Sequence, residues 1–321
     1  MDMSDAHSDK TLKAIDDIIM MADRRSTPRG YFGMSGKHEC DRQDWFSFRH
    51  VRPNKGFDAA TLKRFANGHV DEDLMAARLK SVPGITLIVT DPDTGRQIGH
   101  EAVNGHFRGH QDGHIRGLLD DPNQWYVWEH KSVSEKNFRA FGRLIDKHGE
   151  ENALREWNLV YWNQAQLYMY FSETPRHYMT VTTPGGRDHM KCITYGDATI
   201  AEELIERVED IIYAEEKPIP ISAAPEKSFA CKFCDYKQLC IGTEMPNRNC
   251  RTCIYSEPTK SGEPLWTCTK HKETRNIHQQ LEGCGEHRYL PAVTPYDVVR
   301  MDDDDNVHYN TETGSWVDEG P

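Results

Sequence analysis

Apolar residues recur at three- and four-residue spacing, with charges between them, over residues 9 to 25 and again from Asp58 to Lys80. That periodicity predicts two amphipathic helices, the second with Leu62, Phe65, Val70, Leu74 and Leu79 on its apolar side. The pattern then shortens toward period two. ITLIVTD, GRQIGHEAV after the turn Pro92-Asp93-Thr94-Gly95, GHFRGHQDGHIRGLL, and WYVWEHK predict four strands joined by Gly and Asp turns, an antiparallel start. The last of these emerges from the turn-forming Asp120, Asp121, Pro122 and Asn123. Beyond Lys131 helical spacing returns through FRAFGRLIDKHG and EENALREWNLVYWNQAQLYMYFSE, and HYMTVTTP and HMKCITY predict two more strands before a helix from Ala198 to Glu216. Helix, several strands, helix, strand is the order of an α/β layer with its site on the central strands.

At 321 residues and 37% apolar content the chain can bury a core, as one large domain with an appendage or as two modest domains. No run approaches the length of a membrane span, and the first residues are acidic with only IIMM as an apolar stretch, so neither signal peptide nor anchor is expected and the expected location is cytoplasmic. The net charge of −12 argues against a polyanionic partner, but it is unevenly spread. Asp302 to Asp305, Glu312, Asp318 and Glu319 carry seven of the negative charges in the last 21 residues, with no Lys or Arg among them. Residues 293–321 read as an acidic, disordered tail that mimics DNA, inhibits in cis or stays unstructured. Elsewhere Arg42, Arg49, Arg52, Lys55, Lys63 and Arg64 are candidate phosphate contacts, or an ordinary solvated basic surface.

Candidate chemistry centres on Asp112, in GHQDGHI, and on Glu129-x-Lys131, in WYVWEHKS. Two carboxylates and an amine around one divalent cation are what phosphodiester hydrolysis needs: a metal to hold the phosphate, a water, and a positive group that steers or activates it. Hard oxygen ligands suit Mg²⁺ or Mn²⁺. A chain that is 28% Asp, Glu, Lys and Arg produces Glu-x-Lys pairs by chance, and Glu215-x-Lys217 is one, at a solvated helix end. Glu129 differs in closing an aromatic and β-branched strand, on which period two puts Glu129 and Lys131 on one face and the His130 side chain on the other. Gln164 and Tyr168, four apart on a predicted helix, share a face, as core-flanking residues or as part of a site. His69 lies on a helix with Glu72 and Asp73 near its face; a lone helical histidine is more often structural than a ligand.

With His69, Asp112, Glu129-x-Lys131 and Gln164-x3-Tyr168 in that order, the chain resembles the PD-(D/E)XK nuclease superfamily. Within it the chain looks like the RecB-like branch, which includes the CRISPR-associated iron-sulfur exonucleases and many phage-encoded recombination exonucleases; the match spans roughly residues 35 to 242. The resemblance implies a restriction-endonuclease-like α/β core, a central mixed sheet flanked by helices. It implies His69, Asp112, Glu129 and the His130 carbonyl as Mg²⁺ or Mn²⁺ ligands, Lys131 to position or activate the water, and Gln164 with Tyr168 to order the site and the DNA end. At position 130 the family usually carries an apolar residue, which puts the burial of that strand in question.

Nine cysteines in a cytoplasmic protein point to metal before disulfides. Cys231-x2-Cys234-x5-Cys240 places three soft ligands in one loop, one short of a tetrathiolate site. In iron-sulfur members of the branch the fourth comes from a cysteine ahead of the core, and Cys40 stands at the matching place, so the resemblance implies a 4Fe-4S cluster, with Zn²⁺ as the alternative. Cys250-x2-Cys253, Cys268 and Cys284 predict a zinc-ribbon-like module, with His271, or less strongly His287, as rival to Cys284. Cys192 is left over as a core residue. His100, His106, His110 and His114 flank Asp112 and are assigned no role.

The resulting expectation has four parts: a helical leader (1–34), a RecB-like nuclease domain with a Cys-ligated cluster (35–245), a zinc-ribbon-like module (246–292) and the acidic tail (293–321). The expected function is a metal-dependent deoxyribonuclease, an exonuclease acting on single-stranded DNA or duplex ends in prokaryotic or phage recombination, repair or DNA processing. Its expected partners are DNA and a recombination or single-strand-binding protein, with no membrane. The alternatives are a DNA-binding adaptor on a nuclease scaffold and a sequence-specific endonuclease.

Overall fold

A computed structural model describes residues 9–26, 28–36, 39–53, 56–311 and 313–321. In chain order its elements begin with α1 (Lys10–Arg25), β1 (Phe32–Gly33), α2 (Asp41–Phe48), α3 (Ala59–Lys80), β2 (Thr86–Ile88), β3 (Ile98–Ala102), β4 (Phe107–Gln111), β5 (Gly113–Leu118) and β6 (Asp121–Ser132). They continue with α4 (Glu135–His148), α5 (Glu150–Trp157), α6 (Leu159–Phe171), β7 (Arg176–Thr182), β8 (His189–Tyr195) and α7 (Ala198–Tyr213). Last come α8 (Phe229–Lys232), α9 (Lys237–Ile241), β9 (Ser256–Pro258), β10 (Trp266–Cys268), β11 (Glu273–Arg275), α10 (Ile277–Glu282), β12 (Asp297–Met301), β13 (Val307–Thr311) and β14 (Gly314–Asp318). The architecture is mixed α/β. No helix among the described residues is long and apolar enough to cross a membrane.

Two compact units divide the chain, and neither follows the linear boundaries predicted above: Met1–Thr27, Lys55–His100 and His110–Ala201 form the first, Pro28–Asn54, Glu101–Gly109 and Glu202–Pro321 the second. The first is built on a sheet of order β2-β5-β6-β7-β8. Its β6–β7 pair is parallel and its other pairs antiparallel. A parallel pair needs a crossover, and α4, α5 and α6 supply it. Residues 126 to 130 of β6 are buried without a break, as expected of a central strand covered on both faces. One face, through Tyr126 and Trp128, packs with Met75 and Ala76 of α3 and with Leu87, Ile115 and Leu118.

Four predicted elements differ in detail. GHFRGHQDGHIRGLL is two strands, broken at Asp112. The expected turn at 120–123 is shorter, because Leu118 pairs with Asp121 and leaves only Leu119 and Asp120 as the hairpin loop. The long helix over 150–173 breaks at Asn158, whose side chain caps α6 by accepting from the Tyr161 amide at 3.1 Å. On α3 the buried side runs through Asp71, Met75 and Ala76, while Phe65 and Val70 are exposed. Asp71 is tolerated there because it accepts from Ser132 Oγ (2.6 Å) and the Gly185 amide (3.0 Å).

The second unit gathers Trp45 and Phe46 of α2, Ile211 of α7, Leu239 of α9, Tyr289 and Val293 into its core. It holds the antiparallel sheet β9-β10-β11 and a meander β12-β13-β14. The meander occupies the stretch expected to be disordered. Tyr309 and Val307 are buried, and Trp316 stacks on Tyr309 at 4.9 Å. Several of its acids are spent internally: Asp318 is buried against Arg248 (2.9 Å) and accepts from the Tyr289 amide (2.6 Å), Asp302 accepts from His308 (2.9 Å), and Asp305 pairs with Lys270 (3.1 Å).

Candidate functional site

Asp112 sits at the bend between β4 and β5, where pairing with β6 begins at Gly113 opposite Trp128. Only glycine fits there, since a Cβ on Gly113 would lie 2.6 Å from the Ile88 carbonyl oxygen. The His130 amide, two residues past the end of that ladder, donates instead to Asp112 Oδ2 at 2.8 Å. The β4/β5 break thus holds a carboxylate beside β6. On the face of β6 away from Trp128, Glu129 is almost fully buried. Its Oε1 accepts from Lys131 Nζ and, at 3.3 Å, from Gln164 Nε2. Gln164 Nε2 also lies 3.3 Å from Tyr168 OH, and Lys131 Nζ stands 5.2 Å over the Tyr161 ring. Glu129 Oε2 is buried with no hydrogen-bond partner among the described residues.

The electrostatics follow from crowding acids in a dry place. Burial, and then the neighbouring Asp112, push the Glu129 carboxyl up to about 8. Asp112 is likewise raised by burial, against the opposing pull of Lys131. Burial alone would lower the Lys131 ammonium, but Glu129 and Asp112 override it and hold the group well above the ordinary lysine value. Lys131 is therefore a fixed positive charge in this arrangement rather than a base.

Glu72, named above only as a neighbour of His69, joins this group. From α3 it lies close enough to Asp112, Lys131 and Glu129 to share their field, and burial followed by Asp112 raises its carboxyl to about 7. The available signal was its place three residues after His69, on one helix face. His69 itself is 79% exposed, with Nδ1 3.8 Å from Glu72 Oε2, and contributes to the field at Asp112. His130 answers the question of strand burial: Nδ1 meets Thr180 Oγ1 at 3.0 Å and Nε2 meets Thr182 Oγ1 at 3.3 Å, so two hydroxyls of β7 accommodate a buried imidazole. Opposite Val127 on β7, the buried His177 is held neutral, its value lowered to about 3 by burial and then by Lys131.

The candidate phosphate contacts mostly have other work. Arg49 is buried, donating to the Arg251 and Ala214 carbonyls (3.0 and 2.7 Å). Arg42 donates to the Pro218 carbonyl (2.6 Å) and to Cys240 Sγ (3.4 Å). Arg52 pairs with Glu244 at 2.5 Å, Lys63 with Asp16, and Arg64 with Thr61 Oγ1 at 2.7 Å; Lys55 lies outside the described residues.

In the second unit Cys40, Cys231, Cys234 and Cys240 line one small recess, although Cys40 is nearly two hundred residues from the others. Cys250, Cys253, Cys268 and Cys284 also lie within one another's electrostatic reach, and burial, followed by Cys253, lifts the Cys250 thiol to about 11. The His271 amide donates to Cys268 Sγ (3.5 Å), and His271 Nε2 lies 3.6 Å from Cys284 Sγ, so both rivals for the fourth place are present. His287 is not available, since Arg248 (3.1 Å) and Thr252 (3.2 Å) occupy its two ring nitrogens. Cys192 is a buried strand residue. Among the described residues no three or more His, Cys, Asp or Glu side chains are placed so that they could hold a metal ion.

No family model matches the chain, and no curated protein matches it. Among solved structures, one described as the crystal structure of SSO0001 is 12% identical and aligns over 72% of this chain and 96% of that chain, with a TM-score of 0.39. The functional reading rests on the residues themselves.

Proposed function

We propose that the protein is a metal-dependent DNA exonuclease of the RecB-like, PD-(D/E)XK kind, hydrolysing phosphodiester bonds in single-stranded DNA or at duplex ends. One observation carries the reading. Half-buried Glu72 and Asp112 lie in the field of buried Glu129 beside Lys131, with Glu129 Oε2 left without a partner among the described residues. Three carboxyls pushed toward neutrality are costly to retain for stability alone. A divalent cation would satisfy all of them, and oxygen donors suit Mg²⁺ or Mn²⁺.

Bound there, such an ion supplies Lewis acidity toward the phosphate and toward a water. The chain's own groups do the rest. Asp112, Glu129 and Glu72 would hold the ion, with His69 beside them. A strand residue directs its N–H and C=O to the same side, so the His130 carbonyl faces the same gap as the amide bound to Asp112. Lys131, a positive charge beside Glu129, would meet a phosphate oxygen or fix the water, and Gln164, braced by Tyr168, keeps Glu129 in its rotamer.

The same reading assigns metal to the two thiol sets. Cys40, Cys231, Cys234 and Cys240 would hold a 4Fe-4S cluster, or Zn²⁺, and stabilise the second unit. Cys250, Cys253 and Cys268 with Cys284 or His271 would hold Zn²⁺ in a ribbon-like module on β9-β10-β11. The central test is digestion of end-labelled DNA. Native protein is expected to degrade it only with Mg²⁺ or Mn²⁺, and Glu129→Ala and Lys131→Ala to lose cleavage by at least a hundredfold while keeping native circular dichroism. Undiminished digestion by both variants removes the site assignment.

A further inference from the structure

The loop carrying Cys231, Cys234 and Cys240 leaves two phenylalanines in water. Phe229 opens α8 and Phe233 follows its last residue, 80% and 76% exposed, with ring centroids 6.2 Å apart in an edge-to-face pair. Keeping each ring in solvent forgoes the favourable burial of a large apolar side chain. A single exposed apolar side chain needs no explanation, but a paired set on an ordered loop marks a contact surface. The turns that hold it are backbone-bonded, from the Cys231 amide to the Ser228 carbonyl (3.2 Å) and from Lys237 to Cys234 (3.1 Å).

The neighbours are cationic. Lys227 and Lys232 are exposed, Lys232 Nζ stands 5.2 Å over the Phe233 ring, and Lys237 follows within a turn. From 226 to 237 three lysines meet two acids, Glu226 and Asp235, in a chain whose net charge is −12. Aromatic faces interleaved with ammonium groups match a single nucleic-acid strand, whose bases stack on rings while its phosphates take the lysines. A duplex hides its base faces from such rings. An apolar protein partner would have to desolvate the lysines without return.

We propose that Phe229 and Phe233, with Lys227, Lys232 and Lys237, form a stacking platform for single-stranded nucleic acid on the thiol-bearing loop. The inference deepens the nuclease reading and rests on it for taking that strand to be substrate.

The test is fluorescence anisotropy of a labelled oligothymidylate with full-length Glu129→Ala protein, without divalent ions, titrated over a range of salt. Phe229→Ala with Phe233→Ala is expected to weaken binding at least tenfold, because stacking on an aromatic ring is worth about 1–3 kcal/mol per base. Phe229→Leu with Phe233→Leu keeps the apolar bulk and is expected to bind as poorly. Lys227→Glu with Lys232→Glu should flatten the slope of log affinity against log salt by about 1.4, at roughly 0.7 per phosphate on a single strand. Metal content and melting temperature, measured on every variant, are expected to match the parent. The platform is overturned by single-strand affinity unchanged in the Leu variants, by equal loss for duplex of the same length, or by phenylalanine variants that dissociate a dimer without touching DNA binding. Native protein that cleaves DNA while the phenylalanine variants bind normally defeats the platform alone; binding through Phe229 and Phe233 without any metal-dependent cleavage defeats the nuclease reading alone.

Discussion

Divalent-cation affinity should climb steeply with pH, and Glu72 should account for part of the climb. The Glu129 carboxyl is held up to about 8 and that of Glu72 up to about 7, each chiefly by burial and next by Asp112. Below those values each carries a proton that must leave before its oxygens can meet a cation, so the ion competes with protons. At about pH 6 a carboxyl with its midpoint near 8 is ionised roughly one part in a hundred, and one near 7 about one part in ten. Raising the pH from about 6 to 7 therefore strengthens binding about ninefold through Glu129 and about fivefold through Glu72, or some fiftyfold together. Calorimetric titration with Mn²⁺ in two buffers of different ionisation enthalpy counts the protons released. Close to two are expected near pH 6.5 for the native protein, and a number nearer one for Glu72→Gln, with a shallower pH gradient. An affinity that is flat between pH 6 and 8 without proton release, or a gradient untouched by Glu72→Gln, would refute the idea that these acids share one ion.

The same shifts act on folding in the opposite sense to an ordinary ion-paired carboxylate. Because the folded-state values of Glu129 and Glu72 lie above their unfolded values, the native state holds protons that the unfolded chain has released; metal-free stability should fall as pH rises from about 5 to 8 and level off beyond. Calorimetric melting should show that decline reduced in Glu129→Gln and offset by Mn²⁺, and a rise across the window in native protein would contradict it. Anaerobically purified protein is expected to be brown, with its visible absorption lost in Cys231→Ser; a colourless protein with about two zinc ions and no iron establishes zinc at both thiol sets. Asp318→Asn should cost about 1–3 kcal/mol in denaturant unfolding, since it discharges a buried partner of Arg248 and weakens the acceptor of the Tyr289 amide. No change there would mean that the C-terminal meander does not stabilise the unit.

Much of the first unit was legible because its elements carry their period locally. Residues 10–25 and 59–80 are helices and 176–182 and 189–195 are strands where apolar spacing places them. Periodicity failed where one contact outweighs the pattern. Asn158 ends one helix and caps the next, so a continuous helical pattern becomes two helices. Asp71 is buried because Ser132 and Gly185 satisfy it, turning α3 away from the face its larger apolar residues mark. Composition misread the acidic tail for a related reason: a count of acids does not show that Arg248, His308 and Lys270 wait for three of them.

By itself the sequence determined which chemistry the chain can carry: a strand presenting Glu129 and Lys131 on one face, a helix presenting Gln164 and Tyr168 on another, and thiols at metal-binding intervals. Those are short-range facts, set by residue type and by the two- and 3.6-residue periods of strand and helix. Only the tertiary structure decided which of these groups meet. It bends the chain at Asp112 so that its carboxylate caps the His130 amide, brings in Glu72, leaves His69 at the rim, and carries Cys40 across nearly two hundred residues to the Cys231 loop. Burial is the physical reason the distinction matters, because it turns ordinary surface acids into a crowded, half-neutralised set that a cation would relieve, and burial is a property of the packed fold that no local stretch of sequence contains.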